Sequence, residues 1–270
     1  HKKNHILYVI MTSISGDEVC CICLEKVDIN NALYLECCNH NICSQPCYEN
    51  YLVDYCPLCR HPFPTNNFDS LKLRRIGVEK GYIPCIYKLG CSYYIGDIVE
   101  KDYKKAFELM NKAAEQGCVY ALNQVAQFYE TGTGVEKNAK KAFEGYTKAA
   151  EQGLASAYCN LGKCYNYGTI MEKDKKKAFE FLTKAADLED DHAQYLLGLF
   201  YHTGDGCVEK DIKKAISLYE RSVKQGNSYS QYLLGRCYFD GDGVEKDVKK
   251  AIQLLEKSAE EGHFQAQNLL

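Results

Sequence analysis

No segment of this 270-residue chain is long and apolar enough to cross a bilayer. Its longest clearly apolar run, Ile6 to Met11, falls far short of the roughly 20 residues a spanning helix needs. No small-residue cleavage pattern follows that run, so residues 1–15 read as a lead-in rather than a secretory signal. An excess of charge of one sign is equally lacking: 33 Lys and Arg stand against 36 Asp and Glu, a net charge of −3. Nucleic acid asks for a basic face, and residues 1–66 hold only Lys2, Lys3, Lys26 and Arg60 against seven acids. The balance of 46% hydrophobic and 26% charged residues is that of a soluble protein, with room for one or two domains. Neither a membrane nor a nucleic acid is an expected partner.

Cysteine, by contrast, is plentiful at 16. Nine cysteines lie between Cys20 and Cys59 at metal-binding spacings. The other seven, Cys85, Cys91, Cys118, Cys159, Cys164, Cys207 and Cys237, are scattered through helical sequence without paired spacing. They read as small buried hydrophobes in a reducing compartment, which makes the chain cytoplasmic or nuclear.

From about Asp69 onward the sequence repeats. An alanine after a lysine pair recurs at Ala106, Ala142, Ala178, Ala215 and Ala251, at intervals of 36, 36, 37 and 36. Four residues before each stands Asp102, Asn138, Asp174, Asp211 or Asp247. Glycine recurs at Gly96, Gly132, Gly168, Gly204 and Gly241, with its one interval of 37 after Gly204. The extra residue therefore lies between Gly204 and Asp211 and is Cys207. Independent landmarks that agree make the period secure.

Each unit reads as two helices. The first carries apolar residues at helical spacing, as in Tyr195, Leu196, Leu197, Phe200 and Tyr201, and stops at a glycine suited to the left-handed position. After a polar turn, Asp or Asn caps the second helix. That helix closes on Gly117, Gly153, Gly226 or Gly262, whereas the third unit has "DLEDD" instead. "LKLRRIGVEKGYIP" matches a lone second helix, with Gly81 lying 36 residues before Gly117. Residues 264–270 read as the start of a further first helix. Small residues (Ala113, Ala149, Ala185, Gly162, Gly198, Gly235) let neighbouring helices approach, and no unit buries its apolar face alone. Most of the 22 tyrosines are expected to fill contacts between helices, and His192, His202 and His263 read as isolated.

Leu234, Gly235, Tyr238, Gly241, Gly243, Val244, Asp247, Lys250 and Ala251 sit on a pattern that resembles the Sel1-like repeat, a relative of the tetratricopeptide repeat. The resemblance implies an all-α solenoid over 69–270, with about five repeats and partial units at both ends. It implies a right-handed superhelix used as a protein-binding scaffold, with no catalytic role for the helices.

The metal-ligand side chains near the start run Cys20, Cys23, Cys38, His40, Cys43, Cys47, Cys56 and Cys59. In Cys20-x2-Cys23 and Cys56-x2-Cys59, two intervening residues let both sulfurs reach one tetrahedral ion at Zn–S distances of about 2.3 Å. Eight ligands suffice for two closed zinc sites, which are structural rather than catalytic. Cys37 is also spaced to pair with His40, with Cys38 preferred, and Cys21 inside the first knuckle is not expected to bind.

A histidine ranked fourth among eight ligands resembles the RING finger; a PHD finger would place it fifth. The resemblance implies a small cross-brace α+β zinc domain over 16–66, holding two Zn2+ per chain. Cys20, Cys23, Cys43 and Cys47 would take one ion, and Cys38, His40, Cys56 and Cys59 the other. Metal binding would then supply folding free energy of about 10–16 kcal/mol per site, by analogy with zinc-finger peptides. One departure is the spacing of Cys43 and Cys47: three residues separate them where the family has two, with Pro46 in the expected place, so a small bulge should follow.

RING fingers of ubiquitin ligases bind a ubiquitin-charged E2 enzyme. Matching positions here are Ile22 between the first two ligands, Tyr51 where many ligases carry Trp, Pro57 and Leu58 in the last knuckle, and Arg60 after the last ligand. Arg60 would bridge E2 and ubiquitin, since its planar fork offers five donors. The resemblance implies a RING-type E3 ubiquitin ligase that orients the thioester for attack, forms no covalent intermediate itself, and recruits a protein substrate or adaptor through the repeats. The alternative is a non-catalytic scaffold whose zinc module is a cap or dimerisation element. A scaffold has no need of Ile22, Pro57 and Arg60 together.

Overall fold

The computed structural model describes residues 67–269 apart from Gly206, and these residues are all α-helix and turn. The helices, in chain order, are α1 Asn67–Glu79, α2 Ile83–Ile95, α3 Tyr103–Glu115, α4 Val119–Thr131, α5 Ala139–Glu151 and α6 Ala155–Tyr167. They continue as α7 Lys175–Asp187, α8 Asp191–Thr203, α9 Ile212–Lys224, α10 Ser228–Asp240, α11 Val248–Glu260 and the short α12 Phe264–Gln267. The even-numbered helices begin repeats and the odd-numbered ones close them. The lone second helix expected before the first full repeat is α1, which ends at Gly81 with φ 79°.

Two compact units divide the chain. The described part of the first comprises α1, α2 and α3, the chain onward to Ala121, and Thr133–Val135. Pro84 starts α2, where its missing N–H has no helical acceptor to lose. Ile86, Cys85 and Leu89 on α2 are buried, and Ser92 accepts a hydrogen bond from the guanidinium of Arg74 on α1. Met110 and Leu109 on α3 come so close to Gly90 that a Cβ there would lie 3.3 Å from each.

The second unit holds Leu122–Gly132 and the chain from Glu136 onward. Consecutive helices from α5 to α12 pack on one another. Its core gathers Leu182, Leu196, Leu197, Phe200 and Leu218, with Phe179, Phe181 and Tyr201 packed against them. Cys207, the inserted residue, joins that cluster and donates weakly from its thiol to the carbonyl of Lys175 at 3.6 Å. An extra residue in the turn is thereby packed, half-buried, against the core.

One turn recurs in every repeat. The amides of Asp102, Asn138, Asp174, Asp211 and Asp247 donate to the carbonyls of Tyr93, Tyr129, Tyr165, Tyr201 and Tyr238 at 2.8–3.0 Å. Each cap side chain then accepts the amide three residues on: Lys105, Lys141, Lys177, Lys214 or Lys250. The ammonium groups of those five lysines lie 4.0–5.4 Å from the ring centres of the same five tyrosines. Cap, carbonyl and ring thus fix the entry of the second helix against the exit of the first.

Where the third repeat lacks its closing glycine, Glu189 occupies that position and adopts the left-handed backbone itself, at φ 62°. Its carboxylate compensates by accepting from Arg221 at 2.8 Å and from Gln194 at 2.7 Å.

The large side chains most enclosed on the second helices are Met110, Tyr146, Leu182, Tyr219 and Leu255 in turn, each no more than 3% exposed. A buried phenol needs a partner. Tyr146 donates to Glu130 at 2.6 Å, and the Tyr219 hydroxyl lies 3.3 Å from His202 Nδ1. The positions equivalent to Glu130 and His202 opposite Met110, Leu182 and Leu255 are Tyr94, Asn166 and Phe239. Polar choices on the two helices change together from repeat to repeat.

First helices meet these side chains through small residues. A Cβ on Gly162 would lie 2.7 Å from Leu182, and one on Gly198 only 2.5 Å from the ring of Tyr219. Gly198→Ala is therefore expected to destabilise the fold by about 1–3 kcal/mol, the usual cost of overpacking a tight core. Thermal unfolding followed by circular dichroism measures this; an unchanged melting temperature would show that the Gly198–Tyr219 approach carries no constraint.

Candidate protein-binding face

Every residue expected to bind zinc or E2 lies outside the described residues: Cys20, Cys23, Cys38, His40, Cys43, Cys47, Cys56 and Cys59, and Ile22, Tyr51, Pro57, Leu58 and Arg60. Among the described residues, no group of three or more His, Cys, Asp or Glu could hold a metal ion. None of their helices is long and apolar enough to cross a membrane. Of the seven cysteines expected to be buried, Cys85, Cys159, Cys164 and Cys237 are, whereas Cys91, Cys118 and Cys207 are half-buried; burial pushes the thiols of Cys164 and Cys237 up to about 12 and about 11. Such thiols are poor nucleophiles at neutral pH. What these residues offer is surface.

The first unit carries an open groove of about 530 Å³ lined by Leu71, Arg75, Tyr93, Ile98 and Lys105. Its central cation is already engaged: Lys105 pairs with Asp102 at 3.0 Å and lies over Tyr93.

A different arrangement occurs in the second unit, at the starts of α8, α10 and α12. The period sets it up. His192 and Tyr229 occupy one repeat position, Tyr195 and Tyr232 another, and His263 is the N-cap of α12 as Asn227 is of α10. The rings run together. His192 lies 5.9 Å from both Tyr195 and Tyr229, and Tyr195 lies 5.3 Å from Tyr229. His263 meets Tyr229 edge-on at 4.9 Å and stacks on Tyr232 at 4.7 Å. Tyr229 remains 46% exposed, so this is a surface cluster and not a core.

Beneath the rings every link is hydrogen-bonded. Asn227 donates to Asp191 at 2.8 Å, lies 3.3 Å from His192 Nδ1, and accepts the amide of Ser230. Ser230 donates to Ser222, which donates to the carbonyl of Asp191. Gln194 donates to Glu189 and accepts from Gln225. Arg221 donates to the carbonyl of Ala186 at 2.9 Å as well as to Glu189.

Burial, with help from Lys163, holds the His192 imidazole below its ordinary pKa against the opposing pull of Asp191 and Asp190. Burial does the same to His263, and it pushes the Tyr195 phenol up to about 12. Burial thus favours the uncharged forms of His192, His263 and Tyr195. Carboxylates flank it in sequence: Asp187, Glu189, Asp190 and Asp191 on one side, Glu260 and Glu261 on the other.

The histidines correct the sequence reading. None is isolated: two belong to this cluster, and His202 links the Tyr219 hydroxyl to Asp242, whose Oδ2 lies 3.3 Å from its Nε2. A spacing of 37 between His192 and Tyr229 was the available signal, because equal register on neighbouring repeats puts side chains side by side. Tyrosines divide: Tyr146 and Tyr219 fill the core as expected, whereas Tyr167 and Tyr229 are exposed.

Comparison with known proteins identifies the repeats. The Sel1 repeat model matches five consecutive segments, 83–118, 119–154, 155–190, 191–227 and 228–263, which together exceed half of the chain. A crystal structure of a Sel1 repeat protein from Oxalobacter formigenes is 28% identical with a TM-score of 0.65, covering 74% of this chain and 88% of that one. The c5321 protective antigen of uropathogenic Escherichia coli strains, described as displaying an SLR fold, is 34% identical with a TM-score of 0.57, over 75% of this chain and 43% of its own. Among curated sequences, the E3 ubiquitin-protein ligase AIRP2 of Arabidopsis thaliana is 35% identical over 77 residues, 28% of this chain and 30% of its own. ORF38 of Ostreid herpesvirus 1, named for a RING finger, is 36% identical over 54 residues, 20% of this chain and 27% of its own. The chain spans less than a third of the length of these two curated relatives.

Because both imidazoles have folded pKa values below the unfolded value of about 6.5, protonation favours the unfolded chain. The stability they permit is present above that value and is lost as pH falls from about 6.5 towards the depressed folded values. The melting temperature should drop between pH 7 and pH 5. Asp102, Glu189 and Asp211, held low by the Lys105 amide, the Arg221 guanidinium and the Lys214 amide, titrate further down the scale. His263→Asn, which supplies a capping oxygen in place of the ring Nδ1 that accepts the Ala266 amide, should flatten the pH dependence. An equal slope in this variant would show that the His263 ring is not its source.

Proposed function

The chain belongs to the Sel1-repeat family, and on that premise we propose that it is a RING-type E3 ubiquitin-protein ligase whose repeats recruit the protein to be modified. That the described residues form a Sel1-repeat scaffold of the kind that mediates protein–protein interaction is the structural half of the statement. The ligase half is supported by one observation above others: seven cysteines and one histidine in RING order within residues 20–59, followed directly by Arg60. The names of the two curated relatives point the same way.

The donor set suits zinc. Thiolate and imidazole ligands in two groups of four favour Zn2+ over hard cations, which prefer oxygen. On this reading Cys20, Cys23, Cys43 and Cys47 hold one ion, and Cys38, His40, Cys56 and Cys59 the other. The bound metal supplies shape and folding free energy, since each group of four joins separated stretches of a small domain.

The chain's own residues then act by orientation. Ile22, Pro57 and Leu58 present an apolar contact to the E2, with Tyr51 beside them. The Arg60 guanidinium donates to E2 and ubiquitin at once, restricting the thioester to geometries near attack. A lysine of the recruited protein is the nucleophile. No side chain of this chain becomes covalently linked to ubiquitin.

Metal analysis of the purified chain should return two zinc ions; one or none contradicts the ligand assignment. In a reconstituted reaction with E1, a panel of E2 enzymes and ubiquitin, self-ubiquitination should appear and fall about tenfold or more with Arg60→Ala. A wild type inert with every E2 would leave the non-catalytic scaffold as the correct reading.

A further inference from the structure

We propose that the aromatic edge formed by His192, Tyr195, Tyr229, Tyr232 and His263 docks an extended, arginine-bearing segment of the recruited protein. This rests on the repeats being the recruiting half of the molecule, and not on the zinc half.

The first ground is what covers the rings. At one position of each described repeat, the tyrosine face is taken by a lysine of the chain itself: Tyr93, Tyr129, Tyr165, Tyr201 and Tyr238 each lie 4.0–5.4 Å from an ammonium group. Among the described residues, no lysine or arginine stands over Tyr195, Tyr229 or Tyr232. Aromatic faces at a surface attract cations by their quadrupole, and Tyr229, 46% exposed, offers its ring to an outside cation next to Tyr195 and to Tyr232, on which His263 stacks.

The second ground is charge. The chain segments that bracket the rings carry Asp187, Asp190 and Asp191 ahead of Tyr195, and Glu260 and Glu261 ahead of His263, set against Lys163, which also acts on His192; Glu189 is already engaged by Arg221. An acidic surround favours a basic segment and disfavours an acidic one.

The third ground selects arginine over lysine. Gln194 and Gln231 are equivalent and almost fully buried, yet they differ in one respect. The Gln194 oxygen accepts from Gln225 at 3.0 Å. The residue equivalent to Gln225 is Glu261, an acceptor, and the Gln231 oxygen has no hydrogen-bond partner. Glu261 meets only the Gln231 amide nitrogen, at 3.4 Å. A carbonyl oxygen lacking a donor beside a carboxylate is the demand a guanidinium meets, since its fork donates to two acceptors at once. The chain itself shows the solution one repeat earlier, where Arg221 donates to the Ala186 carbonyl and to Glu189. The hydrogen-bonded base beneath the rings keeps the face formed in advance, which limits the ordering cost of binding.

The test is fluorescence anisotropy with the full chain and three fluorescein-labelled Gly/Ser decapeptides carrying three arginines, three lysines or three glutamates. The expected order is arginine tightest, then lysine, with glutamate at least tenfold weaker than arginine. Tyr229→Ala and Glu261→Gln, both at exposed positions, should each weaken the arginine peptide by tenfold or more, while Lys176→Ala at the opposite end of its repeat should not. Equal binding of the glutamate peptide, no binding by the wild type, or full affinity in both variants overturns the proposal. If Tyr229→Ala lowers the helical signal, Glu261→Gln alone decides. Binding is read without ubiquitin transfer. An active ligase that ignores the arginine peptide sinks the docking face alone, and an inert chain that binds it sinks the ligase reading alone.

Discussion

A column of alanines with no exposed surface governs the described architecture. Ala106, Ala142, Ala178, Ala215 and Ala251 are each 0% exposed, one per repeat, at the start of the second helix. A methyl group is the largest side chain that lets the backbones come this near, and the approach sets how the rest must pack. Glycines 162, 198 and 235 lie on the first helices within contact of Leu182, Tyr219 and Leu255, because the same closeness leaves no room for a Cβ. The capped turn fixes the angle at which each pair enters that packing. Interiors this dense transmit small changes of volume as strain, so compensation appears at neighbouring positions rather than by loosening.

Two such compensations show how the repeats differ without losing register. A tyrosine replaces leucine or methionine at the enclosed position only where Glu130 or His202 stands ready to bond its hydroxyl. Glu189 replaces a glycine in the left-handed position, where a side chain is strained, and its carboxylate gains Arg221 and Gln194. One of these departures, Tyr219 with His202, lies in a repeat that carries the aromatic edge, and Glu189 stands just ahead of that repeat. The residues that make that edge a candidate surface are thus tied into the packing that makes the array.

The helical half of the molecule was largely legible in the sequence because its signals are local and repeated. Caps such as Asp247, stop glycines such as Gly241 and the displaced register at Cys207 each act within a few residues, and five copies remove ambiguity. What the sequence concealed was lateral. His192 and His263 looked isolated along the chain, since a partner 37 residues away is distant in sequence and adjacent in space. Glu189 gave no sign of its backbone geometry, because glycine's absence says only that something else bears the strain. The acceptor oxygen left without a partner on Gln231 depends on Glu261 replacing the amide found at Gln225, a difference that matters only once the two side chains are known to meet. The zinc ligands and E2 contacts we propose are legible as spacing alone, so those roles rest on donor chemistry and resemblance.

The proposed function divides the labour between an amino-terminal module that would orient a charged E2 and an array that would bring the protein to it. Single-turnover discharge of a preformed E2~ubiquitin thioester onto free lysine isolates the first of these, without substrate recruitment. Addition of the chain should speed discharge with at least one E2, and removing zinc with a chelator should abolish the acceleration while the helical signal of residues 67–269 persists. Discharge that proceeds at the same rate with and without the chain, for every E2 tried, would contradict the account.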